Sequence, residues 1–304
     1  MPDGPDRLLP IAVDACRSAA KLLRGLLGGA EDRLTVREKS ADGFDTVTAA
    51  DLAVEDHLRG LLADAVPGSA VLGEERGGGE AGGGPAPVRW YVDPIDGTGN
   101  LLRGIPLAAV SVGAAVGDRV VAGCVLDVFR DECFTGGEGL PFRLETPPGA
   151  LRVAPAAARK PLVLTDIPLP GRVEGPELAF LAELLTRAEV RRIYSTALSL
   201  AWVAAGRADA ACNLVIKPWD TAAGLALVRS AGGAFLPIAA RARPPPMTLP
   251  APCRPRRPSH PAPALPGFLA HRRQADPALT GWLHTRLTGL ALTSPAPAAA
   301  GGPG

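Results

Sequence analysis

The sequence predicts a layered α/β protein built in two halves, an α+β half over residues 1–148 and an α/β half over 149–293. Three observations carry this expectation. Apolar residues recur at three- and four-residue steps in two stretches before residue 70, as amphipathic helices require. β-rich runs separated by turn residues follow between Ala108 and Thr135. From about Leu151 onward, strand-like and helix-like segments alternate. At 304 residues the chain has ample material for a core.

The first helix is marked by Leu8, Ile11, Ala15, Ala19, Leu22 and Leu26, and Gly28-Gly29 ends it. The second begins at Thr48, whose hydroxyl can cap the chain while Asp51, three residues on, completes a capping box. Leu52, Glu55, Leu58, Leu62 and Val66 continue it to Pro67-Gly68. Residues 77–85 are mostly glycine and lack the Lys-Ser/Thr of a phosphate-binding P-loop, so they read as a solvent loop. Val88–Val92 reads as a short buried strand that stops where Pro94 fixes φ. Ala108–Val116, Val120–Val128 and Glu132–Thr135 suggest an antiparallel meander. In the second half, Leu162–Thr165 reads as a strand, and Glu177–Ala188 and Ala197–Gly206 as helices. The last 64 residues hold 14 of the 32 prolines, too many for continuous structure. Residues 241–264 are therefore expected to be irregular and 294–304 a disordered tail, with a last strand at Leu265–Leu269 and a last helix at Ala278–Leu287 between them.

The composition excludes several classes of function. A formal net charge of +1 argues against a nucleic-acid surface, and the one compact basic cluster, at 254–257, sits in the proline-rich stretch. Cysteines 16, 124, 133, 212 and 253 are odd in number and form no Cys-x-x-Cys pair, so they read as reduced thiols rather than a disulfide framework or zinc site. The N-terminal apolar stretch is interrupted by Asp14, Arg17, Lys21 and Arg24, which fits neither a signal peptide nor a membrane span. A cytoplasmic protein with no membrane and no nucleic-acid partner is expected.

Chemistry concentrates in Trp90-Tyr91-Val92-Asp93-Pro94-Ile95-Asp96-Gly97-Thr98, which holds two carboxylates three positions apart on a turn, with the Ile95 carbonyl between them. Such a stretch can be a plain turn. It can also present hard oxygen ligands to Mg²⁺ or Mn²⁺. Asp51, in the first turn of the second helix, reads by itself as a capping carboxylate.

Taken with Asp45-Thr-Val-Thr-Ala-Ala-Asp51, Gly73-Glu74-Glu75 and Lys217-Pro-Trp-Asp220-Thr-Ala-Ala-Gly224, the nonapeptide makes the chain resemble the inositol monophosphatase family from about Leu8 to Leu236. Members carry a Gly-Glu-Glu, an Asp-Pro-Ile-Asp-Gly-Thr and a Trp-Asp-x-Ala-(Ala/Gly)-Gly. The resemblance implies a sugar-phosphatase-like αβαβα sandwich, a homodimer, two or three Mg²⁺ ions with Mn²⁺ as a substitute, lithium sensitivity, and a small phosphorylated metabolite as partner.

By that resemblance Glu74, Asp93 and the Ile95 carbonyl hold a first metal, and Asp93, Asp96 and Asp220 a second, with Asp93 bridging. Glu74, Asp51 and Thr98 serve catalysis, the Asp51–Thr98 pair orienting the attacking water, and Gly97 and Thr98 offer backbone N–H groups to the phosphate. Asp96, Ser195, Thr196, Ala197, Asn213 and Asp220 fall on the positions that contact the substrate alcohol. Lys39 matches a lysine that precedes the first acidic motif, and reads equally as a surface lysine.

Two departures bear on substrate. The family's Gly-Thr-Ala is Ser195-Thr196-Ala197 here, and its Glu seven residues before the second-metal Asp is Asn213. Asparagine removes a charge-assisted contact to hydroxyls. Inositol monophosphate is the first expectation, with histidinol phosphate, fructose 1,6-bisphosphate or a nucleotide 3′-phosphate as alternatives by the same chemistry. A relic that binds metal without turnover is the alternative of another class.

Overall fold

The computed structural model of the chain describes residues 3–28, 36–38, 46–78, 87–150, 160–169, 173, 175–238 and 267–293. Lys39, the glycine-rich stretch 79–86, the proline-rich segment 241–264 and the tail 294–304 lie outside the described residues.

The N-terminal half runs α1 (Pro5–Leu27), β1 (Val36–Glu38), β2 (Thr46–Thr48), α2 (Ala49–Ala65), β3 (Ala70–Gly73), β4 (Gly77–Gly78), β5 (Val88–Asp96), α3 (Thr98–Leu101), β6 (Ala109–Val116), β7 (Arg119–Asp127), β8 (Glu132–Gly137) and β9 (Leu140–Glu145). The second half adds β10 (Leu162–Leu164), α4 (Gly175–Arg187), β11 (Glu189–Arg191), α5 (Thr196–Ala204), β12 (Ala210–Leu214), α6 (Pro218–Ser230), β13 (Ala234–Ile238), β14 (Gly267–His271) and α7 (Pro277–Thr293). A seven-stranded sheet has the order β4-β3-β5-β6-β7-β8-β9, parallel only at β3–β5. A five-stranded sheet has the order β11-β10-β12-β14-β13, with β11, β10 and β12 parallel and β14 antiparallel to both of its neighbours.

Residue alternation along the strands builds the layers. Val110 and Val112 of β6 join Trp90, Val92 and Leu126 against Leu8, Leu23, Val54, Leu58 and Leu62 of α1 and α2. Ala109, Val125 and Phe134 point the other way, into a middle cluster with Leu198 and Leu200 of α5, Leu227 and Val228 of α6, and Ala211, Phe268 and Ala270 of the second sheet. Ala210, Cys212 and Leu269 take that sheet's outer face, against Phe180 and Leu184 of α4 and Leu279, Leu283 and Leu287 of α7. The sequence of layers is αβαβα. Each large aliphatic side chain buried here stabilises the fold by about 1.5–3 kcal/mol.

The middle helix α6 lies almost on the first sheet. A Cβ at Gly113 would stand 2.8 Å from the Ala223 nitrogen, and one at Gly123 would stand 2.7 Å from the Ala223 Cα, so neither position can carry a side chain. That approach brings the start of α6, with Asp220, beside the end of β5.

Several expectations change. The strand expected to stop at Val92 continues to Asp96, because a register shift between Asp93 and Asp96 absorbs Pro94, which has no N–H to give to a ladder. Gly77-Gly78, expected as solvent loop, pairs with Leu72 and Gly73. The meander gains a fourth strand in β9, and β11, β12 and β13 appear where no strand was expected. The last strand and helix lie at Gly267–His271 and Pro277–Thr293. Cys16, Cys124, Cys133 and Cys212 are buried free thiols. Among the described residues no helix is long and apolar enough to cross a membrane.

Candidate active site

A cavity of about 970 Å³ opens where the end of β5, the starts of α3 and α6, and the ends of β10 and β12 meet. Glu74, Asp93, Asp96 and Asp220 all line it, with Ile95, Gly97 and Thr98 between them. Four carboxylates from three separate stretches of chain therefore share one space.

The three aspartates are held by backbone N–H groups. Asp93 Oδ1 accepts the Ile95 N–H at 3.1 Å, which tightens the bulge at Pro94. Asp220 Oδ2 accepts the Lys217 N–H at 2.7 Å and so closes the first turn of α6. Asp96 accepts from the start of α5: the Thr196 N–H at 3.2 Å, the Ala197 N–H at 2.8 Å and the Ser195 hydroxyl. Orphan N–H groups and the positive end of a helix dipole favour a carboxylate there. Ser195 and Ala197, expected to face substrate, are thus spent on Asp96, and of that tripeptide only Thr196 lines the cavity. Gly97 adopts φ +100, and a Cβ there would lie 2.6 Å from the Leu107 carbonyl, so glycine is required at the turn into α3.

Asp51 is fully buried at the start of α2, and the capping box expected at Thr48 forms. One carboxylate oxygen accepts the Thr48 N–H at 2.8 Å and the Thr48 hydroxyl; the other accepts from Thr98 Oγ1 at 2.9 Å. Thr98 Oγ1 also lies 2.9 Å from the Ile95 carbonyl. A hydroxyl has one hydrogen, so the two acceptors compete for it.

Sequence reasoning missed Glu55. It occupies a core-facing position of α2, is fully buried, and accepts from the Glu75 N–H at 2.7 Å, the Arg76 N–H at 3.0 Å and Arg59 Nε at 2.9 Å. It therefore clamps the turn that carries Glu74. A carboxylate on a helix's apolar stripe was the available signal, since a buried charge demands partners. Tyr194 and Val215 were missed too. Both line the cavity with positive φ, 48° and 56°, a region costly for non-glycine residues.

Electrostatics set the cavity's character. Burial pushes Asp220 up to about 8, helped by Glu74 and Asp96 and opposed by the Lys217 N–H. Burial pushes Asp96 up to about 6 against the stabilising hydrogen bonds from Ser195, Ala197 and Thr196. Asp93 is raised well above the usual carboxylate range by burial and then by Glu74, Asp96, Asp220 and Asp51. Among the described residues no three His, Cys, Asp or Glu side chains are drawn together as a finished metal cage. The carboxylates are near enough to disfavour one another's charge but have not closed on a point. An all-oxygen set with neither His nor Cys, repelling across a shared space, fits a hard divalent cation such as Mg²⁺ or Mn²⁺.

Comparison with known proteins gives a consistent result. The profile of the inositol monophosphatase family matches residues 5–265. An inositol-1-monophosphatase of Mycobacterium bovis is 37% identical over 251 residues, covering 76% of this chain and 84% of that protein. The Nus factor SuhB of Pseudomonas aeruginosa is 36% identical over 231 residues, covering 74% and 83%. The solved structure of Mycobacterium tuberculosis SuhB superposes with a TM-score of 0.69 at 30% identity, covering 94% of this chain and 98% of that one.

Proposed function

The chain belongs to the inositol monophosphatase family and is a phosphoric monoester hydrolase, and from that premise we propose that it hydrolyses a small polyol or sugar phosphate, inositol monophosphate first, with two or three Mg²⁺ ions. Mn²⁺ would substitute. The observation that carries the reading is the gathering of Glu74, Asp93, Asp96 and Asp220 around one cavity beside the Thr98–Asp51 hydrogen bond.

Glu74, Asp93 and the Ile95 carbonyl would hold one ion, and Asp93, Asp96 and Asp220 another. When bound, the ions neutralise phosphate charge, acidify water and stabilise the leaving alkoxide. With the Ile95 carbonyl holding an ion, the Thr98 hydrogen would be left to Asp51 alone. Thr98 Oγ1 can then accept from the attacking water, so that a proton leaving the water has a path through Thr98 to the Asp51 carboxylate. The bonds from Thr48 fix that carboxylate, and the Gly97–Thr98 turn would offer N–H groups to the phosphate. Thr196 and Asn213, which also line the cavity, would face the alcohol.

A second reading, a binding protein that keeps the fold without turnover, is favoured by the Nus factor name of one relative. Phosphate release from a panel of phosphomonoesters, with Mg²⁺ and with chelator, separates the two. Mg²⁺-dependent release, fastest on a polyol ester, is the expected outcome; no release from any ester would sink the catalytic reading.

A further inference from the structure

The cavity contains a carboxylate that the metal set does not use. Asp166 follows the end of β10, is 6% exposed and lines the same space as Asp93 and Asp220. The groups acting on its carboxyl are Tyr194, Asn213 and Arg192, not the metal carboxylates. Oδ1 accepts the Tyr194 N–H at 3.2 Å, and Oδ2 accepts from Asn213 Nδ2 at 3.3 Å. Both bonds are longer than the roughly 2.9–3.0 Å usual for N–H···O, and an ionised carboxylate has about four acceptor sites. Arg192 gives Nη2 to the backbone carbonyls of Asp166 and Pro168, at 3.0 and 2.6 Å, rather than to the carboxylate. A buried charge this lightly served is costly unless a ligand completes it.

Asn213 has less to offer that ligand's donors, because one of its two acceptor lone pairs is already used. Its Oδ1 is occupied by the Asp166 N–H at 2.7 Å, which turns Nδ2 toward Asp166 Oδ2 and toward Thr196 Oγ1 at 3.4 Å. The pair is reciprocal, both residues line the cavity, and the Asp166 carboxylate keeps acceptor sites that the pair does not fill.

We infer that Asp166, oriented by Asn213 and Tyr194, is the specificity-determining residue that receives the hydroxyl groups of the substrate's alcohol portion, so that the enzyme selects polyhydroxylated phosphate esters. The inference rests on the phosphatase reading. A hydroxyl suits the site better than an ammonium group, because the Arg192 guanidinium already stands beside Asp166 and would repel a second cation. Two neighbouring hydroxyls can each donate to one carboxylate oxygen, a bidentate arrangement that a single hydroxyl or an apolar ring cannot make.

The test compares inositol 1-phosphate with cyclohexyl phosphate, the same ring without its hydroxyls, on the full chain with Mg²⁺. Wild-type protein should favour the inositol ester in kcat/KM by ~10- to 100-fold, the scale of hydrogen bonds to a charged group. Asp166→Asn should raise KM for the inositol ester by a similar factor, change kcat less, and leave little preference between the esters. Equal losses on both esters would make Asp166 merely structural and overturn the proposal. If Asp166→Asn does not fold, the wild-type ratio decides: no preference for the hydroxylated ester overturns the proposal while leaving the phosphatase reading standing. Release from neither ester by wild-type protein would remove both.

Discussion

The two walls of the cavity solve similar geometric problems by opposite means. On the wall built from β5, α3 and α6, the turn that needs positive φ is given to glycine, at Gly97, and backbone N–H groups hold Asp93, Asp96 and Asp220. On the wall that carries Asp166 and Asn213, positive φ falls on Tyr194 and Val215, at a cost of ~1–2 kcal/mol each, and the carboxylate there has two long bonds. On the first wall Asp93, Asp96 and Asp220 accept backbone N–H groups before any ligand arrives, while their charges disfavour one another; the second wall keeps backbone strain and unfilled acceptor capacity. Strain and unmet hydrogen bonding persist only where surrounding structure over-determines them, so the second wall is where substrate choice is expected to reside.

If the first wall supplies the chemistry, its substitutions should act on kcat. Asp93→Asn removes a charge from the centre of the carboxylate group at constant volume and should lower activity by ~10³-fold. A purified variant that keeps a tenth of wild-type activity would contradict the bridging role. Next in size come Thr98→Ala and Asp51→Asn, which remove the proton path and should lower kcat by ~10² with a smaller change in KM. If KM rose while kcat held, the pair would belong with the alcohol wall and the comparison would fail.

The smallest effect concerns stability without metal. Asp96 and Asp220 are raised in the folded protein to about 6 and about 8, above the roughly 3.9 of an unfolded aspartate, and Asp93 is raised as well. The folded chain therefore holds more protons than the unfolded chain between about pH 4 and 8. This contribution to stability is complete below the unfolded value and is lost as pH rises through the folded ones. Chelator-treated protein should melt several degrees lower at pH 8.5 than at pH 5.5, and Mg²⁺ should restore more stability at the higher pH, because its ligands must be ionised. A metal-free melting temperature that rises over this interval would show that the carboxylates do not strain the fold.

Much of the first wall is readable from sequence. Asp-Pro-x-Asp-Gly-Thr compresses a bulge, two carboxylates and a glycine-only turn into a few residues, each needed for a local reason, and Thr48 with Asp51 is a capping box whether or not it faces a site. Helices α1 and α2 and the meander were legible because their periodicity spans many residues. β12 and β13 were not, since Ala210–Leu214 is short and rich in small residues and Pro237 interrupts the other. Asp166 was silent because it is a lone carboxylate in an otherwise apolar stretch, and Glu55, whose place on the apolar stripe of α2 signals burial, has partners that nothing nearby in the chain names.

The sequence alone determined the donor chemistry, the family and the layered class, because those depend on residue types at fixed short spacings, where backbone geometry leaves few choices. Only the tertiary structure decided that Ser195 and Ala197 serve Asp96 rather than the cavity, that Glu55 braces the turn of Glu74, and that Asp166 and Asn213 face each other across β10 and β12. These pairings join residues 20 to 101 positions apart, and a contact at such separation is fixed by how sheets and helices pack. Local propensity carries no record of it.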